Sequence, residues 1–458
     1  MGTVLKLTNG SADAMSISPA RIAAFDILLQ VEREDAYASE LLHSPKYLSL
    51  SREDHGLATQ IVMGVLRWRS QLDATLASSS SHPLPKLDAE VRTALRMGSY
   101  QIMHLERVPS HAAVHESVEL VKRARKTSAA GLVNALLRKI PRGTKSEAAP
   151  GTAKALAKRY AHPEWMVARW VDRFGLETAC AICASNQQVP ATSVRIPSSL
   201  EANATVTKEL LDEGVHLASG ALLASARRVE SGDITKTKAF NEGRAVIQDE
   251  ASQLVAILAG EGSEILDCCA APGGKTMVIA ERNPTAKILA MDIHPHRARL
   301  LRSRVHALNV HVIAADLQSA PLRATFDRVL LDAPCSGTGT LAQHPEIKWR
   351  LKLEHIAELQ ALQKALLAAA MKLVAPGGTL LYSTCSLERE ENEDVVEQVL
   401  TGFPDFRVKS LNERLVHLNE TGVLTINEVE SLTSGAHLRT LPGLHPCDGF
   451  FAALLEKV

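Results

Sequence analysis

Two cysteines in the C-terminal half of the chain each follow a hydrophobic run that is typical of a strand. Cys335 lies in the segment DAPCSGTG, and Cys385 lies in YSTCS. A cysteine attacks as its thiolate, so its surroundings must lower the normal thiol pKa of about 8.5 for it to react at neutral pH. Inert buried cysteines are common. Because both cysteines come directly after predicted strands, we favour a reactive pair.

A glycine-containing loop lies between another hydrophobic run and a helix, in SEILDCCAAPGGKT (Ser263–Thr276). Two adjacent glycines, Gly273 and Gly274, let backbone approach a ligand closely. The segment ends as a phosphate-binding P-loop does, but Cys269 stands where that motif needs glycine, and the dinucleotide fingerprint is absent. Asp292 ends the next predicted strand, near the spacing of about 20 residues at which an acid binds ribose hydroxyls. The pattern favours an adenosine-containing ligand.

Two thiols beside a nucleoside-like ligand suit one reaction in particular. Carbon 5 of a pyrimidine is too weak a nucleophile to take a methyl group directly. Addition of a thiolate to C6 would move electron density to C5, which could then attack a sulfonium methyl group. Removal of the C5 proton would expel the thiolate, and an acid near N3 would stabilise the intermediate. The spacing of the residues does not decide which of the two thiols adds to the ring.

Strand-like runs alternate with helices from residue 245 onward, which predicts a doubly wound parallel sheet. The predicted strands are Glu264–Cys269, Lys287–Asp292, Val310–Asp316, Phe326–Asp332 and Thr379–Ser383. The carboxyl ends of parallel strands share one edge of a sheet, where ligands bind. The residues at the ends of the first four strands should therefore converge on one crevice. They are Cys269, Asp292, Asp316 and Asp332.

The connections between these strands predict which of them are neighbours. A helix over Leu353–Val374 would allow the strands before the two cysteines to lie side by side in one sheet. Leu438–Leu441 and Gly449–Glu456 should add closing strands. The segment Ala245–Ala259 is either an amphipathic helix or a strand-to-helix junction.

The front of the chain, residues 16–142, lacks strand-like alternation and predicts an all-helical bundle of five or six helices. The predicted helices begin near Pro19 and continue over Arg52–Arg69, Ala89–Leu105, Ala112–Thr127 and Ala129–Lys139. Arg142–Gly151 is polar and rich in turn formers, which is typical of a linker. After it, a strand over Ala191–Ile196 and a helix over Thr205–Glu213 predict a small α/β subdomain. An aromatic stripe at Trp165, Trp170 and Phe174 should belong to a core.

Local charge says more about partners than total charge, because 51 Lys and Arg balance 51 Asp and Glu. The interval from Lys122 to Lys145 contains basic residues and no acid. These residues are Lys122, Arg123, Arg125, Lys126, Arg138, Lys139, Arg142 and Lys145. They form either a face that contacts phosphates or an ordinary solvated helix face.

The cysteine count and the apolar runs bear on the compartment. Seven cysteines, an odd number in a long chain, favour free thiols in a reducing compartment. The first residues lack the apolar core of a signal peptide, and no run is long and apolar enough to span a bilayer. We expect a cytoplasmic protein without a membrane partner. Cys180 and Cys183 form a lone C-x-x-C pair, so we expect no metal site.

The motifs DCCAAPGGKT, DAPCSGTG and YSTCS, in this order, closely resemble those of the Nop/Sun family of RNA 5-methylcytosine methyltransferases. The segments FNEGRAVIQDEAS (Phe240–Ser252) and LRTLPGLHPCDGFFAALLEK (Leu438–Lys457) also match. The helical front, which contains VNALLRK (Val133–Lys139), is similar to the NusB-like RNA-binding domain of the bacterial branch that modifies small-subunit ribosomal RNA. The resemblance implies a NusB-like bundle over 16–142, a small α/β, RRM-like subdomain over 155–240, and a Rossmann-like class I methyltransferase domain over 241–458.

The resemblance also implies S-adenosyl-L-methionine as the methyl donor and gives roles to individual residues. Its binding loop would comprise Cys269, Ala270, Ala271, Pro272, Gly273, Gly274 and Lys275. Asp292 would bind the ribose, Asp316 would lie beside the adenine, and Asp332 would lie near the methionine moiety and the target base. By the same resemblance, Cys385 is the nucleophile and Cys335 serves product release.

Together these implications predict methylation of cytosine C5 in RNA, with small-subunit ribosomal RNA the favoured substrate and the target base unpaired or flipped. The basic helices at the front would hold the RNA backbone without reading the base. A transfer-RNA or DNA cytosine methyltransferase would share the chemistry. A non-enzymatic RNA-binding assembly or antitermination factor is a further alternative, although such a protein has no need for reactive thiols. We expect a monomer that needs no metal.

Overall fold

The computed structural model describes residues 17–34, 36–47, 49–143, 151–197, 200–322 and 325–458. The chain divides into two compact units, Met1–Glu164 and Trp165–Val458. Most of the predicted linker over Arg142–Gly151 lies outside the described residues, as does Lys145. The predicted domain boundaries at residues 142, 155 and 240 remain predictions.

Helices make up the regular structure of the first unit in the residues described there. They are α1 (Pro19–Glu34), α2 (Ala38–Leu42), α3 (Arg52–Ser79), α4 (Ala89–His104), α5 (Ser110–Arg123), α6 (Ala130–Leu137) and α7 (Ala153–Arg159). Apolar side chains of α1 and α3–α6 share one core. The predicted all-helical bundle is confirmed. Helix α3 continues past the predicted end at Arg69 because Leu72 and Leu76 extend its buried stripe.

A small antiparallel sheet opens the second unit. Its strands are β1 (Ser193–Arg195), β2 (His216–Ser219), β3 (Ala226–Ser231) and β4 (Val246–Ile247), in the order β2-β3-β1-β4. The helices of this region are α8 (Glu164–Ser185), α9 (Leu200–Asp212) and α10 (Lys238–Asn241). Val194, Val206 and Leu210 belong to the core that joins α9 to the sheet. The predicted small α/β arrangement is therefore present, and Ala245–Ala259 contains a strand-to-helix junction.

The large sheet of the second unit has nine strands in the described residues. They are β5 (Glu264–Asp267), β6 (Lys287–Asp292), β7 (Val310–Ala314), β8 (Phe326–Asp332), β9 (Val374–Thr384), β10 (Phe406–Lys409), β11 (Thr433–Ser434), β12 (His437–Thr440) and β13 (Phe450–Lys457). The helices are α11 (Glu250–Leu258), α12 (Gly274–Arg282), α13 (Pro295–Arg304), α14 (Ile347–Arg350), α15 (Leu353–Met371), α16 (Glu393–Leu400) and α17 (Asn412–Glu420).

The five predicted strands are parallel, as expected, and the structure places them in the order β7-β6-β5-β8-β9. The closing strand β13 pairs antiparallel with β9, and β12 and β10 pair antiparallel with β13, so the complete sheet is mixed. Successive residues of the parallel strands face two different cores, with Ile265 in one and Leu266 in the other. Burial on both faces explains why these strands are continuous apolar runs in the sequence. Among the described helices, none has the length and apolar character that a membrane span requires.

Candidate active site

A buried carboxylate lies at the end of β5, directly before the glycine-containing loop. Asp267 is only 1% exposed, and the Thr276 hydroxyl donates to its Oδ2 at 2.7 Å. Its other oxygen, Oδ1, has no hydrogen-bond partner among the described residues. The pKa of Asp267 is raised to about 7, chiefly by burial; the charges of Asp332 and Asp292 act in the same direction, and the Thr276 hydrogen bond and the charge of Lys275 oppose it. Asp267 was not predicted as part of the site, although an acid inside an apolar strand is a signal of a functional residue.

Lys275, in the first turn of α12, places a cation beside this carboxylate. Its Nζ lies 2.7 Å from Asp332 Oδ2, and the Ser383 hydroxyl donates to Asp332 Oδ1 at 2.8 Å. Burial by itself lowers the pKa of Lys275, but attraction to Asp332 outweighs burial and the pKa is raised. The ammonium also lies 5.0 Å from the centre of the Phe450 ring. Lys275 therefore remains charged and fixed in place.

The glycines of the loop allow close packing that other residues would prevent. Gly273 has a φ of 109°, and a Cβ there would lie 2.9 Å from Leu301 Cδ1. A Cβ on Gly274 would lie 3.2 Å from Gln248 Nε2. The Gln248 side-chain oxygen is buried and has no partner among the described residues. The loop thus lies beside two buried acceptors, on Asp267 and Gln248, that a bound group with N–H or O–H donors could satisfy.

The other predicted residues of this edge lie where the strand order places them. Asp292, at the end of β6, accepts a hydrogen bond from the His294 backbone N–H at 2.9 Å. Asp316, just past β7, accepts from the Gln318 N–H and the Ser319 hydroxyl, each at 3.0 Å. Burial raises the pKa of Cys269, so that thiol is protonated.

The two predicted reactive cysteines are in direct contact. Cys335 Sγ lies 3.3 Å from Cys385 Sγ, because β8 and β9 are neighbours and Asp332 pairs with Ser383 in their register. The two loops are also joined directly, since the Gly339 N–H donates to the Cys385 carbonyl at 2.9 Å. A Cβ on Gly339 would lie 2.8 Å from that same carbonyl oxygen, so only glycine permits this approach.

The surroundings of Cys335 favour its protonated form. The hydrogen bond with Cys385 is the main cause that raises the pKa of Cys335 well above its usual value, and burial and the charge of Glu391 act in the same direction. Conversely, negative charge on Cys385 contributes to the raised pKa of Lys275. Cys385 therefore has a thiol donor on one side and a cation within electrostatic range.

Helix α8 braces the chain that follows Cys385. Arg169 Nε lies 2.7 Å from Glu388 Oε2, and the Trp170 indole N–H donates to the other oxygen of Glu388 at 3.3 Å. Arg173 donates to the Leu387 carbonyl at 2.6 Å. Trp170 is buried, as predicted for the aromatic stripe. The bracing arginines had no signal of this role in the sequence, because their partners lie more than two hundred residues away.

The basic interval of the first unit is partly neutralised by acids from elsewhere in that unit. The ion pairs are Lys122–Glu119 at 2.7 Å, Arg123–Asp26 at 2.9 Å and Lys126–Asp88 at 3.0 Å. Arg125, Arg138 and Lys139 form no ion pair within the described residues. Arg142 also forms no ion pair there and donates to the Glu106 carbonyl at 2.9 Å. The cluster is therefore not a uniform positive face, and its described cations without an ion pair are these four. No group of three or more His, Cys, Asp or Glu side chains that could hold a metal ion occurs where the structure describes the chain.

In the second unit, a glycine loop follows the central strand of a parallel sheet, and acids lie at the ends of the neighbouring strands. This arrangement defines the class of the unit. It is a Rossmann-like methyltransferase fold, extended by an antiparallel edge. The comparison with known proteins makes the assignment specific. Three families match: 16S rRNA methyltransferase RsmB/F over residues 255–456, the NusB family over 18–142, and the RsmF/B-like ferredoxin-like domain over 162–234.

Individual relatives match over nearly the full length. The chain is 34% identical to the probable ribosomal RNA small subunit methyltransferase B of Bacillus subtilis, over 97% of this chain and 100% of that protein. It is 32% identical to ribosomal RNA small subunit methyltransferase B of Vibrio cholerae, over 96% of this chain and 98% of that protein. The crystal structure of PH0851 superposes with a TM-score of 0.77 at 26% identity, over 97% and 100% of the two chains.

The chain belongs to the RsmB/F methyltransferase family, which confirms the resemblance found in the sequence. The fold class predicted from the sequence is confirmed with it. Members of this family use S-adenosyl-L-methionine, so this is the cofactor of the chain. The glycine loop fits that group, since the buried acceptors on Asp267 and Gln248 match the N–H and O–H donors of an adenosine and an amino acid.

Proposed function

We propose that this protein methylates C5 of cytosine in 16S ribosomal RNA through a covalent bond between Cys385 and C6 of the base. The observation that carries the proposal is the 3.3 Å contact between Cys335 Sγ and Cys385 Sγ, beside the ion pair of Lys275 with Asp332. A protein that only binds RNA needs neither a protonated thiol next to a second thiol nor a fixed cation near both. The names of the two relatives support ribosomal RNA as the substrate.

The residues assigned to the cofactor lie around the end of β5. The loop Cys269–Lys275 would hold it, with Asp292 at the ribose and Asp316 beside the adenine. When bound, S-adenosyl-L-methionine supplies the methyl group as an electrophilic sulfonium. The chain's own contribution is two buried acceptors beside this loop, Asp267 Oδ1 and Gln248 Oε1, which have no hydrogen-bond partner among the described residues.

The residues assigned to the base supply complementary charges. Lys275 offers a donor and Asp332 an acceptor, which match the polar edge of cytosine with its ring nitrogen, carbonyl and amino group. Attack by the Cys385 thiolate forms the S–C6 bond and pushes the electrons of the C5=C6 bond towards C5. C5 would take the methyl group, with S-adenosyl-L-homocysteine as the leaving group. Loss of the C5 proton to a water molecule would then restore the C5=C6 double bond and return the S–C6 electron pair to Cys385. Cys335 acts in this release step, since its sulfur contacts the leaving sulfur.

Replacing each cysteine separately tests these roles. Cys385→Ala should abolish methyl transfer to unmodified 16S ribosomal RNA and retain S-adenosyl-L-methionine binding by calorimetry. Cys335→Ala should form the covalent adduct but release it slowly, which gives a denaturant-resistant protein–RNA band. Cys180→Ala, in α8, is the matched control and should behave as wild type.

The same assay with other substrates tests the choice of RNA. Transfer RNA and DNA should accept little methyl label, and bisulfite sequencing of the 16S product should find one protected cytosine. Label at an atom other than C5 would refute the proposed chemistry. Retained transfer by Cys385→Ala together with an adduct-free Cys335→Ala would refute the assignment of the nucleophile.

A further inference from the structure

A fully buried carboxylate lies behind the two thiol loops. Glu391 is 0% exposed, and its Oε1 accepts hydrogen bonds from the Ser336 N–H at 2.8 Å and the Gln363 amide at 2.9 Å. Its Oε2 accepts from the Ser386 hydroxyl at 2.5 Å and from the Ser336 hydroxyl. No basic side chain of the described residues forms an ion pair with it. Burying an unpaired charge is costly, and these donors are what compensates for it.

Three of these four donors come from the residues that follow the two cysteines, and the fourth is Gln363 of α15. Ser336 follows Cys335, Ser386 follows Cys385, and the two serine hydroxyls lie 3.0 Å apart. One carboxylate therefore ties together two loops that are fifty residues apart in sequence. A carboxylate offers only acceptors, which matches a site where every neighbour donates, whereas an amide would present two N–H donors of its own.

The charge of Glu391 also acts on the sulfurs. It is one of the causes that raise the pKa of Cys335, after the hydrogen bond with Cys385 and burial. The other titratable groups that interact with the thiol pair are Lys275 of α12, Tyr382 of β9 and Asp448. Burial, Asp249 and Cys385 raise the pKa of Asp448. A hydrogen bond with the Gly337 backbone lowers the pKa of Cys335, and the charge of Glu391 raises it.

We propose that Glu391 is a positioning residue for the thiol chemistry: through Ser336 and Ser386 it holds the two thiol loops so that the Cys335 thiol stays in contact with Cys385, the nucleophile. This inference rests on the proposed function, because it explains how one of two adjacent thiols is selected as the nucleophile. Glu391 does not touch the base. It acts through Ser336 and Ser386 on the positions of the sulfurs, and its charge favours the protonated form of Cys335.

Thiol alkylation measures this selection without any methyl transfer. The full-length chain, free of RNA, is treated with iodoacetamide between pH 6 and 10, and peptide mass spectrometry gives the rate at each cysteine. In wild type, Cys335 should react more slowly than Cys385 at neutral pH, because the pKa of Cys335 is raised. Glu391→Gln removes one cause of that raised pKa and should increase the Cys335 rate at neutral pH several-fold.

Two further variants separate charge from structure. Glu391→Asp keeps the charge on a shorter side chain, so the order of the two thiols should persist while kcat for methyl transfer falls more than KM rises. Glu390→Gln is the matched control, because the neighbouring carboxylate faces Arg169 at 2.6 Å and not the thiol loops. Its alkylation profile should be that of wild type.

The outcomes that overturn the inference are distinct from those that overturn the proposed function. An unchanged pH profile of Cys335 in Glu391→Gln, together with lost activity, would make Glu391 merely structural. If that variant does not fold, the wild-type protein still provides a test, since a Cys335 that is alkylated faster than Cys385 at neutral pH contradicts the inference. A wild-type protein with the expected thiol order but no methyl transfer to any RNA would refute the proposed function and leave the thiol arrangement intact.

Discussion

Asp267 should make the second unit less stable as the pH rises, and Asp267→Asn should remove that dependence. The carboxyl is 1% exposed, and burial raises its pKa from an ordinary 3.8 to about 7. A difference of about 3 units, at about 1.36 kcal/mol for each unit, corresponds to roughly 4 kcal/mol of unfolding free energy. The cause is the removal of the carboxylate from water without a partner for Oδ1.

The sign follows from which state binds the proton more tightly. The folded state holds the Asp267 proton up to about pH 7, whereas the unfolded state releases it near pH 3.8. Between these values the unfolded state binds fewer protons, so the free energy of unfolding falls as the pH rises. The destabilisation is absent below about pH 4 and complete above about pH 7. Asparagine cannot ionise and its carbonyl can still accept from Thr276, so its advantage over aspartate should grow across this window to about 4 kcal/mol.

Urea unfolding at pH 5 and pH 8 measures this difference. Tryptophan fluorescence mainly follows the second unit, which contains Trp165, Trp170 and Trp349 but not Trp68. Thr276→Val is the matched control, because it should increase the pH dependence of stability that Asp267→Asn removes. The Thr276 hydrogen bond lowers the pKa of Asp267, so its loss should make the pH dependence steeper. An Asp267→Asn stability difference that is the same at both pH values would refute the reasoning.

Two further predictions concern the thiol loops and the first unit. Gly339→Ala should lower the unfolding free energy by about 1–3 kcal/mol and remove most of the methyl-transfer rate, because its Cβ would lie 2.1 Å from a backbone oxygen. Gly402→Ala is the control. A Cβ there would have its nearest neighbour 3.6 Å away, so the unfolding free energy should change little. Arg125, Arg138 and Lys139 are three of the cations without an ion pair among the described residues, and replacing all three with glutamine should weaken the salt dependence of RNA binding. The slope of log K against log salt concentration should fall in magnitude by about 0.7–0.9 for each phosphate that is no longer neutralised. Lys122→Gln removes a cation that is already ion-paired and should change the slope less. An unchanged salt slope in the triple variant, measured by filter binding, would place the RNA elsewhere.

Local patterns in the sequence were sufficient to predict the parallel strands. Lys287–Asp292 and Phe326–Asp332 occur with the predicted bounds, because a strand buried on both faces gives a continuous apolar run with an abrupt end. The antiparallel edge strand β10, residues Phe406–Lys409, was missed. It has one buried residue followed by exposed ones, so it lacks the pattern of a core strand.

Features that depend on distant partners could not be predicted. The basic interval contains no acid in the sequence, yet Asp26 and Asp88 pair with two of its cations in the folded bundle. The run from Glu388 to Asp394 is acidic and resembles a solvated surface, but Glu388 and Glu391 are buried at 2% and 0% exposure. Only the fold shows that one of these acids meets Arg169 and that the other meets two serines.

The neighbouring positions of β8 and β9 explain why the acid and the two thiols of the site occur together. The strand register that pairs Asp332 with Ser383 also brings the residues three and two positions further on, Cys335 and Cys385, into contact. Lys275 then serves both groups, since its charge is held by Asp332 and is also attracted by Cys385. A change in the register of this one strand pair would therefore separate the sulfurs and displace the cation from the nucleophile at the same time. The connection through α15, which makes the two strands adjacent, is for this reason as much a part of the site as the side chains that line it.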